Sequence, residues 1–409
     1  MKELFKPLAS LHLTLILLSL SLILVFLGTM AQEPLGLYLA QGRFFQSFFV
    51  DQASLAAAIK KTLQMAGIYL TPTTAADVLS ARPIPVFPGG YLLGSLLLIN
   101  LLAAHATRFR FSWKRSGIVL THAGIVLLLV GQLLTDFFAR ESALRLTEGE
   151  TKNYSEADRR SELAIVETSA ANRDKVVVIP DTLLLSGSTF NRPELPFSLK
   201  VLRYYPNSFI TNRTVIPDAP PVTEGPGVRF APLELPRVTE MNLRDVPSAI
   251  VQVSTPQGVV GSYLLSEYLN RPQSITVDGR SFDLSLRLRR FYKEFSLSLI
   301  DFRHDKYPGT ETPKNFSSQV RLQNPRTGED REVLIYMNNP LRYQGLTFYQ
   351  ASFDKLDERV TILQVVRNPA WLTPYFACLV VAAGLLVQFG IHLVGFMQRS
   401  RLPKPPATA

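Results

Sequence analysis

The chain has 409 residues, enough for several domains or for one domain with membrane segments, and a formal net charge of +10. That balance invites a nucleic-acid reading, but its placement excludes one. Residues 1–10, 108–115 and 398–409 hold Lys2, Lys6, Arg108, Arg110, Lys114, Arg115, Arg399, Arg401 and Lys404 against Glu3 alone, and the remaining charges nearly cancel. A single cysteine, Cys378, excludes a disulfide framework, and no Cys-x-x-Cys-His occurs, so the chain is not itself a c-type cytochrome.

The basic clusters flank four apolar runs, 11–31, 91–107, 116–138 and 371–397, each near or above the ~20 residues that cross a bilayer as a helix. The first is too long for a signal-peptide core, and "GTMAQ" after it is a poor cleavage site, so it reads as a retained helix. Charge on the short flanks is the positive-inside pattern. It predicts a multi-pass protein of the cytoplasmic (inner) membrane with 1–10, 108–115 and 398–409 in the cytoplasm. Residues 32–90 and 139–369 then face the outer side.

In the 32–90 loop "LAAAIKKTLQMAG" predicts a short amphipathic helix, and "GRFFQSFFV" reads as an interfacial or partner-facing segment. Segment 139–369 is β-rich: "DKVVVIP", "SAIVQVS", "SSQVRLQ" and "LTFYQASF" are β-branched or alternating runs between turn signals. Phe282, Leu284, Leu286 and Leu288 alternate with Ser285, Arg287 and Arg289, which puts one apolar face on that strand. The predicted class is a membrane protein with four transmembrane α-helices and a large β-rich extracytoplasmic domain, sandwich-like in fold. The proline-rich stretch 191–237 reads as irregular.

No nucleophile elbow, zinc-protease helix, phosphate loop or dinucleotide fingerprint occurs. Asp354 and Asp357 sit in a charged segment typical of a solvated loop. The histidines say more. His12, His105, His122 and His392 lie in the apolar runs, and only His304 lies outside. At ~1.5 Å per residue from the nearest basic flank, His122 and His392 lie about 10 Å deep in the cytoplasmic half. His12 and His105 are shallower and read as interfacial. Ionisable groups within membrane helices usually face a cavity, a partner or a cofactor. Gly117, Gly124 and Gly131 form a small-residue stripe that lets a neighbouring helix approach. His122 lies opposite it among Ile118, Val126, Leu129 and Leu133. Two readings stand there: a hydrogen bond to a neighbouring helix, or an axial imidazole for a flat apolar macrocycle such as haem. For His392 the same choice exists, with Gln388 four residues earlier as the hydrogen-bond partner.

Taken in order, "GTMAQ", "LLINLLAAHATRF", "LTHAG", "RLTEGET", "YPGTETPKNFSSQVRL", "YMNNPLRYQGLTFYQASFD" and "FGIHLVGF" resemble the ResB-type cytochrome c biogenesis proteins of system II (the ResB/CcsB family) over most of the chain. Two details depart from it: Ala31 stands where many members have proline, and "PGGYLL" replaces an aromatic run. The resemblance implies a non-catalytic subunit beside a ResC/CcsA-type integral membrane partner that carries the attachment site. It implies passage of haem b, bound transiently and shared with that partner, towards covalent attachment to apocytochrome c. A thioredoxin-like reductant is a further implied partner. The family's haem-ligating transmembrane histidine maps to His122, and His392 is a weaker haem-path residue. Two rival readings remain: a membrane b-type cytochrome pairing His122 with His392, and a membrane-anchored scaffold without haem contact.

Overall fold

A computed structural model describes residues 7–108, 112–169, 174–269, 271–309, 313–354 and 356–400. Lys2, Glu3, Lys6, Arg110, Arg401 and Lys404 of the charge pattern lie outside them. Two compact units result: a helical unit, up to Arg140 and again from Arg367, and a β-rich unit, Glu141–Val366.

The helical unit runs α1 (Leu11–Leu35), α2 (Leu37–Ala40), a π-helical turn (Gln41–Phe45), β1 (Phe49–Asp51), α3 (Gln52–Met65), α4 (Ala75–Ser80), β2 (Pro85–Pro88), α5 (Gly90–Arg108), α6 (Ser116–Phe138) and, at the end of the chain, α7 (Thr373–Ser400). Among the described residues α1, α5, α6 and α7 are the four helices long and apolar enough to span a membrane. One buried polar side chain ties two of them together. Asn100 of α5 donates to Leu8 O at 2.6 Å and accepts from the Thr14 hydroxyl of α1 at 2.6 Å. In hydrocarbon every such group needs a partner, and this one has several. The amphipathic α3 starts where Asp51 caps it, accepting from Ser54 N at 3.0 Å and from the Ser54 hydroxyl at 2.7 Å.

The β-rich unit begins with β3 (Arg140–Thr147), β4 (Thr151–Glu167), β5 (Lys175–Pro180), β6 (Thr189–Asn191), β7 (Ser198–Tyr205), β8 (Ser208–Asn212) and β9 (Phe230–Glu234). It continues with β10 (Ser248–Thr255), β11 (Gly258–Ser266), β12 (Gln273–Val277), β13 (Arg280–Lys306), β14 (Pro313–Asn324), β15 (Glu329–Tyr336), β16 (Leu341–Tyr343), β17 (Leu346–Phe353) and β18 (Val360–Arg367). The stretch 191–237 is therefore not irregular: it carries β7, β8 and β9. Most of its prolines fall between these strands, and Pro232 sits within β9, which pairs only with β8.

The strand pattern leaves open whether the unit is one sandwich or two, and it has two cores threaded by the same strands. In the first, β5–β4–β13–β12 faces the sheet β11–β10–β7–β6 across Leu163, Ile165, Val201, Val251, Leu265 and Phe282. In the second, the order β15–β14–β13–β4–β3–β18–β17–β16 curls around Leu146, Phe295, Leu299, Val320, Phe348 and Leu363, nearly closing on itself. Of the alternation read from Phe282 to Leu288, Phe282, Leu284 and Leu286 belong to the first core, and Leu288 is half-buried outside it. Between the cores β13 bulges: Tyr292 pairs with Tyr154, but Leu297 already pairs with Lys152. Extra residues on one strand bend it and re-aim its side chains. Lys293 sits in this bulge, donating to the Ser155 hydroxyl at 2.7 Å and to Phe291 O at 3.0 Å, and burial pushes its pKa down to about 8.

Candidate functional site

The sequence puts His122 on the side of α6 away from its glycines, and the packing follows that division. A Cβ on Gly117 would come within 2.5 Å of Gln388 Cβ, and one on Gly124 within 2.5 Å of Val381 Cγ2 and 2.9 Å of Ala377 O. One on Gly131 would lie 2.5 Å from Thr373 Cγ2. In the other direction, a Cβ on Gly384 of α7 would lie 2.6 Å from Thr121 N. The stripe is thus the seat of α7, and the two backbones touch because side chains are missing.

On the opposite face α6 meets α5, and there two imidazoles meet. His122 Nδ1 lies 2.8 Å from Ile118 O and His105 Nδ1 lies 2.9 Å from Leu101 O. A carbonyl only accepts, so each Nδ1 carries the donated proton, and in the neutral ring Nε2 is then the acceptor nitrogen. The ring centroids are 5.0 Å apart and tilted by 57°. His105, read as interfacial, is half-buried against His122. The signal for this was in the sequence. The short loop 109–115 makes α5 and α6 antiparallel neighbours, so residues close to it on both helices meet.

The same seam opens farther along. Two turns from His105 on α5 is Leu98, and two turns from His122 on α6 is Leu129. They line a cavity of about 220 Å³ together with Gly94, Tyr91, Leu133 and Asp136. Its polar end is organised by Gln132, which donates to Asp136 Oδ1 at 2.9 Å. The seam thus presents acceptor imidazole nitrogens at one end, an aliphatic wall and an open volume.

This donor set is chemically compatible with a metal such as a haem iron. Each ring is oriented by a backbone carbonyl, the outer-shell contact that metal-binding histidines use. With metal–nitrogen bonds of about 2 Å, two imidazoles bracketing one iron need centroids at least ~6 Å apart. At 5.0 Å the two rings do not bracket one metal. The arrangement offers one imidazole to a metal with a second imidazole beside it.

The other histidines are placed differently. Gln388 donates its amide to His392 Nε2 at 2.9 Å, so the nitrogen that would ligate is already an acceptor. His12 is exposed. His304 stacks on Phe316 at 4.7 Å and packs on Phe353 at 4.6 Å, an aromatic member of the second core's edge. The Leu356 amide and Arg145 hold the Asp354 carboxyl below the usual range, and Arg359 does the same for Asp357. Both stay ionised at neutral pH, which suits ion pairing and not proton donation.

Residues 258–362 match the ResB-like family, from β11 into β18 and including the β16–β17 hairpin. That segment is ResB-like. Protein NrfI of Wolinella succinogenes is 26% identical over 301 residues, covering 72% of this chain and 29% of that protein. Cytochrome c biogenesis protein CcsB of Synechococcus sp. (strain CC9605) is 34% identical over 106 residues, 26% of this chain and 22% of that protein. A CcsB of Prochlorococcus marinus is 40% identical over 58 residues, 14% of this chain and 13% of that protein. The chain therefore spans less than a third of the length of these relatives. Within the ResB-like segment Phe348 is fully buried and Tyr343 and Phe353 pack on the same core. The Tyr343 hydroxyl donates to Glu329 at 2.7 Å and accepts from Asn324 at 2.9 Å, so the hairpin's aromatic residues hold the fold.

Proposed function

We propose that this protein is a non-catalytic membrane subunit in cytochrome c biogenesis that takes up haem along the α5–α6 seam. The reading rests on one observation: His122 and His105 stand together with Nδ1 fixed on backbone carbonyls and Nε2 the acceptor of the neutral ring, at one end of an apolar seam that opens into a cavity. The relatives' printed names, cytochrome c biogenesis protein CcsB, supply the process.

His122 would hold the haem iron, and with His105 only 5.0 Å from it between ring centroids, a further ligand would come from outside this chain, a histidine of a ResC/CcsA-type partner. When bound, haem supplies the vinyl groups and the iron redox couple needed for attachment to apocytochrome c. The chain's own part is to bind, orient and shield: aliphatic side chains exclude water and the carbonyls of Ile118 and Leu101 keep the tautomers. The β-rich unit faces the outer side, with both termini in the cytoplasm, and docks the partner, the apocytochrome or a reductant protein. An intramolecular His122–His392 pair, as in a b-type cytochrome, is disfavoured by the Gln388–His392 hydrogen bond.

The test is an absorption spectrum of the complex co-purified with the ResC/CcsA-type partner. His122→Ala is expected to lose the haem bands and to regain them with added imidazole, while His105→Ala keeps haem at reduced occupancy. Unchanged haem content and cytochrome c maturation in His122→Ala would sink the proposal.

A further inference from the structure

A second cavity, of about 420 Å³, lies away from the histidines, where the chain leaves α1. α1 has 25 residues and is about 37 Å long, more than the ~30 Å of hydrocarbon, so the segment after it emerges at headgroup level. Leu37, Tyr38, Phe48 and Phe49 are 44%, 46%, 56% and 54% exposed there, an aromatic and apolar rim of the kind that seats at a membrane interface.

Gly42 and Arg43 of the π-helical turn Gln41–Phe45, a rare element that often marks functional sites, line this cavity. The turn is locked in place. A Cβ on Gly89 would come within 2.3 Å of Ser47 O and one on Gly90 within 2.3 Å of Phe45 O, so only glycine lets α5 start against it. The turn presents Arg43 and, three residues on, Gln46 to the cavity, with Pro83 and Pro85 as the opposite wall. Arg43 is incompletely matched. Its nearest carboxylate, Asp51, is 3.5 Å away, beyond the ~2.7–2.9 Å of a charge-assisted hydrogen bond. Both Asp51 oxygens already serve the cap of α3. Arg43 and the buried Asp51 both line the cavity as an ion pair at 3.5 Å, which leaves guanidinium N–H groups for a further acceptor there.

We infer that this cavity binds the phosphate headgroup of an anionic phospholipid, with Arg43 and Gln46 as donors and the acyl chains lying along the exposed rim. A planar guanidinium takes phosphate oxygens two at a time, which fits Arg43 better than a lysine would.

The full chain would be taken from nanodiscs of phosphatidylglycerol or of phosphatidylcholine and its retained lipid counted by native mass spectrometry. Wild type is expected to retain phosphatidylglycerol selectively, and Arg43→Gln to lose about tenfold of that retention. Gly42→Leu is the second variant: a Cβ at Gly42, in the cavity wall, meets nothing within 4 Å, so the new side chain fills the cavity with Arg43 intact. It is expected to lose the lipid as well. Equal retention by wild type and both variants would mean ordinary surrounding lipid and would overturn the inference. So would heat protection by inorganic phosphate as large as that by phosphatidylglycerol, because the site would then read a free anion.

Discussion

The two faces of α6 are built on opposite principles. Towards α7 the contact is made by absent side chains: Gly117, Gly124, Gly131 and Gly384 leave no room for a Cβ and bring the helices close. Towards α5 it is made by present ones: His122 and His105 prop the helices apart, and about 220 Å³ stays open farther along. Lipid tails are as apolar as leucine, so membrane helices associate by shape and hydrogen bonding rather than by water exclusion. A closed seam therefore fixes α6 in place, and that fixity lets the other seam remain open without collapsing.

The largest effect is expected on the closed side. Gly124→Ala drives a methyl into Val381 and the Ala377 carbonyl, and overpacking of this kind costs about 1–3 kcal/mol. A lower thermal unfolding temperature of the detergent-purified chain is expected, with Gly124→Leu giving no monodisperse protein at all. Wild-type melting of Gly124→Ala would mean that the seam is looser than the geometry requires.

Gly94, on the open side, sharpens the contrast. A Cβ there meets nothing within 4 Å, so Gly94→Ala is expected to gain about 0.5–1 kcal/mol from helix propensity alone. Gly94→Leu projects into the cavity it lines and is expected to leave melting unchanged while lowering haem content in the complex. Full haem content in that variant would remove the cavity from the haem path.

How much of this could be read beforehand depends on the range of the interaction. The four spanning helices were legible because apolar runs are contiguous, and the glycine stripe because it repeats every seven residues. The Gln388–His392 hydrogen bond was legible because it joins residues one helical turn apart. The His105–His122 contact was missed because depth along a single helix says nothing of neighbours; the signal that carries it is the short connection between α5 and α6, which pairs the helix ends nearest to it. The two cores of the β-rich unit were hidden because β13 is one strand of 27 residues whose alternation is interrupted at a bulge. Only the partner strand, distant in sequence, shows where the register slips. β7 to β9 were masked by prolines that lie mostly between short strands.

The smallest effect is expected at Gln388, which belongs to the closed seam through its Cβ and to His392 through its amide. Gln388→Leu keeps the Cβ against Gly117 and replaces the amide with an apolar branch. The Gln388 Oε1 atom is buried with no hydrogen-bond partner among the described residues, so its removal relieves an unsatisfied acceptor. Membrane hydrogen bonds of this kind average about 0.6 kcal/mol, and the two terms nearly offset each other. Melting and haem content are both expected to stay at wild-type values, because the closed seam depends on backbone approach and His392 lies off the open one. If Gln388→Leu instead lowers haem content without changing melting, releasing the His392 lone pair has disturbed the haem site. The pathway would then include the α7 face, and the division of α6 into a structural side and a ligand side would fail.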